Sequence, residues 1–453
     1  MVLAYIYPPD SGSGTFRSLY FFNRIAQAGD DVCVVTAREA DYALGTPVDN
    51  GLRASIDPRI KVVRAGVARP VDRLLRVRSA LSRGSGAGQA PTHQVHDAAP
   101  SGKKSRLQAF KDLITDSLTF PDHQIGWLPY AYRVAGREIR AARPDCIYSS
   151  GGPWTSHLLA VLLKKRYRRP VVLDFRDPWA ANPDIAYRSA LFRRLSDAAE
   201  AFCIRNADQV VLNTPQLRED FIRRYPGQNS TKFTTVTNGF EDSELPASKA
   251  ASDRFTLVHT GEIYLSRNPA SFLRAIQGLI RTGAIPEKIL QVQLVGGCAR
   301  SPEIDALLNS VELREAIRLI PRVSHKEALE YQLNADVLLL FQMAFPLQVP
   351  RKLFEYMSMS KPVLAITELT GATASIVRDS AVGAVAEPEE HSIASALLTL
   401  YGAWCAGNAE TVQSESVRRY RNSRLAIELR AILHSAAKLP NPAVAGASLS
   451  DVD

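Results

Sequence analysis

Short apolar runs that end in polar turns, each followed by a helical stretch of about 12 to 20 residues, recur along this chain, and that alternation admits few folds. Val2 to Tyr7, Val32 to Thr36, Asp145 to Ser149, Pro170 to Phe175 and Gln209 to Asn213 read as strands in the first half. Phe255 to His259, Leu290 to Val295, Val337 to Phe341 and Val363 to Ile366 restart the pattern in the second. Near-continuous apolar strands joined by helices make parallel sheets covered on both faces, so an α/β class with two doubly wound, Rossmann-like domains facing a central cleft is expected. The predicted boundaries are 1–238 for the first domain, 239–252 for a linker, 253–412 for the second domain, 413–436 for a C-terminal helix crossing back to the first, and 437–453 for a disordered tail. Residues 84–105 are small, polar and poor in core formers, and read as a flexible insertion in the first domain.

In sheets of this kind ligands bind beyond the carboxyl ends of the strands. There the chain carries a Gly12 to Gly14 turn with Arg17 just inside the next helix, a Gly151 to Trp154 turn, and the polar run Asp174 to Trp179. In the second half, Pro346 to Ile366 holds the most chemistry per residue. Pro350 is expected at the first helical position of a helix of about three turns, which Lys361 before Pro362 brings to an end. Arg351 and Lys352 fall in its first turn, where the macrodipole disfavours cations unless an anion binds. Glu355 follows one turn later on the same face, so the turn reads as a diphosphate site with a carboxylate placed for two vicinal ribose hydroxyls. The competing reading is a plain Arg351–Glu355 pair at i,i+4.

The turns PPDSGSGTFR, LDFRDPW and TNGF, the strand and turn LVHTGEIYLSRNP, and KLFEYMSMSKPVLAI stand in the order found in retaining glycosyltransferases of family 4, which the chain resembles outside the insertion. The resemblance implies the GT-B fold, an N-terminal acceptor domain and a C-terminal nucleotide-sugar domain. It would assign Glu355 to the ribose hydroxyls, Lys352 and Arg267 to the diphosphate, Gly12 and Gly14 to the sugar-phosphate side of the donor, and backbone contacts at Val323 and Ser324 to the base. Arg351 joins the donor set. Arg176, Asp177, Arg267 and Lys352 are the candidate catalytic residues, and Arg17, Trp154 and Asp177 lie on the expected acceptor side.

Two departures from the family pattern stand out. Leu347 occupies the position, eight before Glu355, where the family often has a second glutamate for the transferred sugar. After the strand VVLDF many members carry a His, and this chain has Arg176 and Asp177. An Arg cannot accept a proton but can hold an anionic group bidentately, and Asp177 would orient an acceptor hydroxyl. An internal pair of Arg176 with Asp174 or Asp177 is the structural alternative. His157 opens an apolar helix and reads as a core residue.

Expected, then, is transfer of a sugar from a nucleoside diphosphate-sugar, a substrate rather than a cofactor, to a saccharide or lipid-linked acceptor. Rival readings are a non-catalytic partner subunit of the same fold and a nucleotide-sugar epimerase. Metal is not expected: the five cysteines have no CxxC spacing, His93 and His96 lack companions, and the one DxD, Asp451 to Asp453, closes the chain. No apolar run nears the roughly 18 residues of a spanning helix, and the start lacks a basic signal-peptide region, so a cytoplasmic location is expected. The net charge is +9, and Arg69 to Lys111 holds nine cations against two anions. With Lys164, Lys165, Arg166, Arg168 and Arg169 this argues for an anionic membrane surface as a peripheral partner at the inner face. Nucleic acid is not expected, because the clusters lack interleaved aromatics.

Overall fold

The computed structural model describes residues 1–68, 116–117, 119–182, 189–241, 253–264, 267–407 and 415–438. The basic stretch 69–111 with its insertion 84–105, the linker beyond residue 241 and the tail beyond Lys438 lie outside the described residues.

The chain divides into two compact units, the first made of Met1–Asn213, Arg218–Val236 and the residues from Ala426 on, the second of Thr214–Leu217 and Thr237–Leu425. In the first, β1 (Val2–Leu3), β2 (Cys33–Ala37), β3 (Lys61–Ala65), β4 (Ile147–Ser150), β5 (Val171–Phe175), β6 (Gln209–Leu212) and β7 (Phe233–Thr235) form one sheet in the order β3-β2-β1-β4-β5-β6-β7. Every pairing is parallel, with Val2 opposite both Val34 and Tyr148. The strand order reverses at β1, so the crevice where ligands bind in such sheets opens between the carboxyl ends of β1 and β4.

The second unit repeats the plan with β8 (Phe255–Thr260), β9 (Leu290–Val295), β10 (Ile317–Ile320), β11 (Val337–Gln342), β12 (Val363–Thr367) and β13 (Gly383–Ala386) in the order β10-β9-β8-β11-β12-β13, again all parallel. Its reversal lies between β8 and β11. Because side chains alternate across a strand, Leu339 and Phe341 join Phe255 and Leu257 under the helix Ala270–Arg281, whereas Leu338 and Leu340 join Val258 under the helix Arg351–Ser358. Burial on both faces is what made these strands legible as unbroken apolar runs.

Two expectations about the second unit's key helix change. Pro350 has extended backbone (φ −66°, ψ 139°) and is the N-cap, so the helix starts one residue later, at Arg351. It runs eight residues, nearer two turns than three, and Ser360 with φ +54° turns the chain away before Lys361. The C-terminal helix spans Asn422–Lys438, two residues past its expected end, and from Ala426 onward belongs to the first unit. Within that unit Arg430 and His434 both bind the Asp30 carboxylate at the end of the helix Ser13–Gln27. No helix among the described residues is long and apolar enough to cross a membrane.

Candidate active site

In the first unit three loops at the carboxyl ends of β1, β4 and β5 are tied together by one side chain. Asp10 Oδ1 accepts from the Gly12 N–H at 2.8 Å, which shapes the turn entering the helix Ser13–Gln27. Arg176, just past β5, lies against Gly14, where an added Cβ would stand 2.7 Å from its Nη1. The same guanidinium donates from Nε to the Gly151 carbonyl at 2.8 Å and from Nη2 to the Gly152 carbonyl at 2.5 Å. Gly152 has φ +66°, and its added Cβ would sit 3.0 Å from Arg176 Nη2. A side chain at either glycine would therefore displace the clamp.

Asp174 is not a partner of Arg176. It lies inside the fully buried β5, and a buried carboxylate requires compensation. Arg17 supplies it, donating from Nε to Oδ2 at 2.7 Å and from Nη2 to Oδ1 at 2.9 Å, with a further bond from Nη2 to the Val236 carbonyl at 2.7 Å. Tyr148 donates its hydroxyl to the same carboxylate. Arg17 is 5% exposed, so the expected acceptor-side role is corrected: it is a strut beneath the loops. Trp154 is corrected likewise. It is buried and stacked on Trp179, with centroids 5.3 Å apart and planes at 4°. Asp177 is half-buried in the turn that Arg176 and Trp179 anchor.

His157 is the core residue anticipated. Its Nδ1 is 2.9 Å from Ser149 Oγ, and burial, aided by the nearby charge of Arg176, pushes its pKa down to about 3. The sequence reading missed Asp122, whose carboxylate accepts from the Thr155 N–H at 2.8 Å and from Thr155 Oγ1 at 2.7 Å. It caps the helix Thr155–Tyr167 from 33 residues away, so no local pattern marks it, and burial raises its pKa. Glu200, also missed, takes the Ala180 N–H at 2.8 Å and steadies the far side of the Asp177 turn.

In the second unit Glu355 stands at the reversal between β8 and β11, with its side chain 10% exposed. Lys352 Nζ reaches Oε1 at 2.9 Å, Gln332 Nε2 reaches Oε1 at 2.6 Å, and Arg351 Nη2 reaches Oε2 at 3.3 Å. Burial alone would raise this carboxyl, but Lys352, Arg351 and the Gln332 amide hold it down to about 2. The i,i+4 pair weighed from the sequence is therefore present, as one part of a larger cluster. Gln332 also donates to Thr260 Oγ1 at 2.9 Å, and the Thr260 N–H donates to the Tyr356 hydroxyl at 3.0 Å, so the end of β8 is tied to this helix.

His259 joins the cluster. Its Nδ1 is 2.9 Å from the Leu339 carbonyl, an acceptor, so Nδ1 carries the proton. Burial pushes its pKa down to about 4, and the charges of Lys352 and Arg267 act in the same direction. Arg267 thus belongs to the same electropositive neighbourhood, with its guanidinium 5.8 Å from the Phe345 ring centroid. Arg351 and Lys352 are brought together on Glu355, and Lys352 and Arg267 both act on His259. Ser324 lies at the start of the helix that carries Gln332. It is the N-cap of the helix His325–Leu333, where its N–H donates to Glu327 Oε2 at 2.9 Å and its carbonyl accepts from Ala328 at 3.0 Å. Both of its backbone groups take part in the cap. Val323, beside it, packs against the core under the helix Arg351–Ser358.

Residues 17–239 match the family model described as a glycosyl transferase 4-like domain, and residues 254–403 match that described as glycosyl transferases group 1. Among curated proteins none matches the chain. Among solved structures it is similar to sucrose-phosphate synthase from Thermosynechococcus elongatus, at 15% identity, covering 96% of this chain and 98% of that one, with a TM-score of 0.62. HepE from Anabaena in complex with UDP gives 14%, 96%, 99% and 0.60 in the same order. WaaG, a glycosyltransferase involved in lipopolysaccharide biosynthesis, gives 14%, 95%, 98% and 0.53. These likenesses show the fold: two all-parallel α/β units that match the GT-B fold.

Proposed function

We propose that this chain, which carries a glycosyl transferase 4-like domain followed by a glycosyl transferases group 1 domain, moves a sugar from a nucleoside diphosphate to an acceptor hydroxyl with retention at the anomeric carbon. The observation that carries the reading is the cluster of Glu355, Lys352, Arg351 and Gln332 at the strand reversal of the second unit. That is where an α/β sheet binds nucleotides, and it offers an ionised carboxylate and cations within one helical turn. HepE, of the same fold, was solved with UDP and with UDP-glucose, which supports a nucleotide-sugar donor.

In this reading Lys352, Arg351 and Arg267 take the diphosphate, and Glu355 takes the ribose hydroxyls. A diphosphate competes with Glu355 for the same cations. As Lys352 and Arg351 turn to phosphate, the oxygens of Glu355 are released to accept from the ribose, so the two ends of the nucleotide help each other bind. When the bond between the anomeric carbon and the phosphate oxygen breaks, negative charge grows on the departing diphosphate and the cations stabilise it. The acceptor oxygen bonds to the same face of the sugar, and its proton passes to the departing phosphate. No step requires a divalent cation. Asp177, presented by a turn that Arg176 and Glu200 fix, orients the acceptor hydroxyl. A lipid-linked or polysaccharide acceptor and a cytoplasmic, membrane-peripheral location complete the proposal.

Leu347, in place of a carboxylate for the transferred sugar, favours one rival, a non-catalytic partner. Incubation with nucleotide-sugars and candidate acceptors, followed by proton NMR of the product, separates them. Retention requires acceptor-dependent release of nucleoside diphosphate and an anomeric coupling that matches the donor's. An inverted product removes the retaining mechanism, turnover without acceptor points to an epimerase, and no turnover with any acceptor supports the partner reading.

A further inference from the structure

Two neighbouring helices of the first unit carry leucines outward. On the helix Ala190–Asn206, Leu191 is 55% and Leu195 is 40% exposed, one turn apart on one face. On the helix Thr155–Tyr167, Leu162 is 37% exposed and shares its face with the exposed Lys165 and Arg166. Lys165 Nζ lies 4.6 Å from the Phe202 ring centroid, so the carboxyl-terminal halves of the two helices lie side by side. Both helices follow strands of one parallel sheet and run the same way, which sets Leu191 and Leu195 toward one end of the pair and Lys165 and Arg166 toward the other.

Among the described residues the charge on this surface is mainly positive. Arg194 is exposed beside the leucines, Lys165, Arg166 and Arg168 are exposed at the far end, and Asp197 is the exposed anion of the helix Ala190–Asn206. Buried Glu200 points inward to Ala180 and Arg224 and does not offset them. Four cations around three leucines, against one anion, would repel a second copy of themselves. They complement a plane of anionic headgroups, into which leucines sink shallowly while cations contact phosphate.

We propose that the outward faces of the helices Thr155–Tyr167 and Ala190–Asn206 form a docking surface for anionic phospholipid. The inference deepens the membrane-peripheral reading above, and it places the membrane on the unit that carries Asp177. It locates the contact in the folded body of this unit, separately from the basic stretch 69–111.

The test uses the full chain and vesicles of phosphatidylcholine with and without phosphatidylglycerol, scored by co-sedimentation and therefore independent of turnover. Binding is expected only to the anionic vesicles, weakening as salt rises. K165Q/R166Q should weaken it by roughly fivefold per charge removed, since each cation near the surface contributes on the order of 1 kcal/mol. L191S/L195S should weaken it further while circular dichroism and melting remain those of the parent. Unchanged binding by both variants, or equal binding to neutral vesicles, overturns the proposal. So does a dimer in solution that L191S/L195S converts to monomer, which would assign the face to a second copy. Loss of vesicle binding with glycosyl transfer to a soluble acceptor intact, or the reverse, tells the failure of one reading from that of the other.

Discussion

Glu355 and Arg17 show how far a single residue's chemistry reads from sequence. Each is a charged side chain beside a helix N-terminus at a sheet's carboxyl edge, and the sequence assigned both to ligands. Arg17 is consumed by Asp174, because a carboxylate inside a buried strand cannot go unpaired. The pairing spans 157 residues, and no local spacing announces it. Removing one partner leaves an uncompensated buried charge, so Arg17→Ala should lower stability by about 3 to 5 kcal/mol, measured by urea unfolding. A loss below 1 kcal/mol would show that the pair is not the strut described. The buried histidines give a pH test. His157 and His259 have pKa values depressed to about 3 and about 4, whereas an unfolded His titrates near 6.5. The unfolded chain therefore binds more protons in that window. Stability is fully present above about pH 6.5 and is lost as pH falls toward the folded values, by up to ~1.4 kcal/mol per pH unit for each ring. Between pH 7 and pH 5 the H157Q/H259Q variant should lose less stability than the parent; identical slopes would contradict the neutral, buried assignment.

At the scale of elements, the strands were legible and the loops only in part. Burial on both faces writes each strand into the sequence as an apolar run, so the strand and helix order followed from pattern. Boundaries followed less well: Pro350 caps the helix rather than opening it, because its extended ψ places it outside the first turn. The loops at the carboxyl ends were found by position, since ligands gather there, but their inner wiring was not. Asp122 on Thr155, Glu200 on Ala180, and Arg176 on Gly151 and Gly152 all join distant segments. The glycines report this wiring indirectly. Gly14→Ala should push Arg176 off its carbonyls and reduce turnover by at least tenfold, with a stability change within ~1 kcal/mol. Full activity in that variant would show that the clamp has no bearing on the acceptor turn.

For the whole molecule, two tandem all-parallel units were expected and are found, each with its reversal point beneath a cluster of charged and polar groups. In the proposed function the donor chemistry gathers in the second unit, around Glu355. If cations alone stabilise the departing diphosphate, a chelator should leave turnover unchanged, and abolition rescued by magnesium or manganese would refute that part of the mechanism. The central claim, that this cluster is a nucleoside diphosphate site built on Glu355, is tested most directly by calorimetric titration of UDP into the parent and Glu355→Gln. The account predicts binding by the parent and a loss in the variant of about 1.5 to 3 kcal/mol, the usual worth of hydrogen bonds to a charged group. Equal affinity in the two proteins would contradict it.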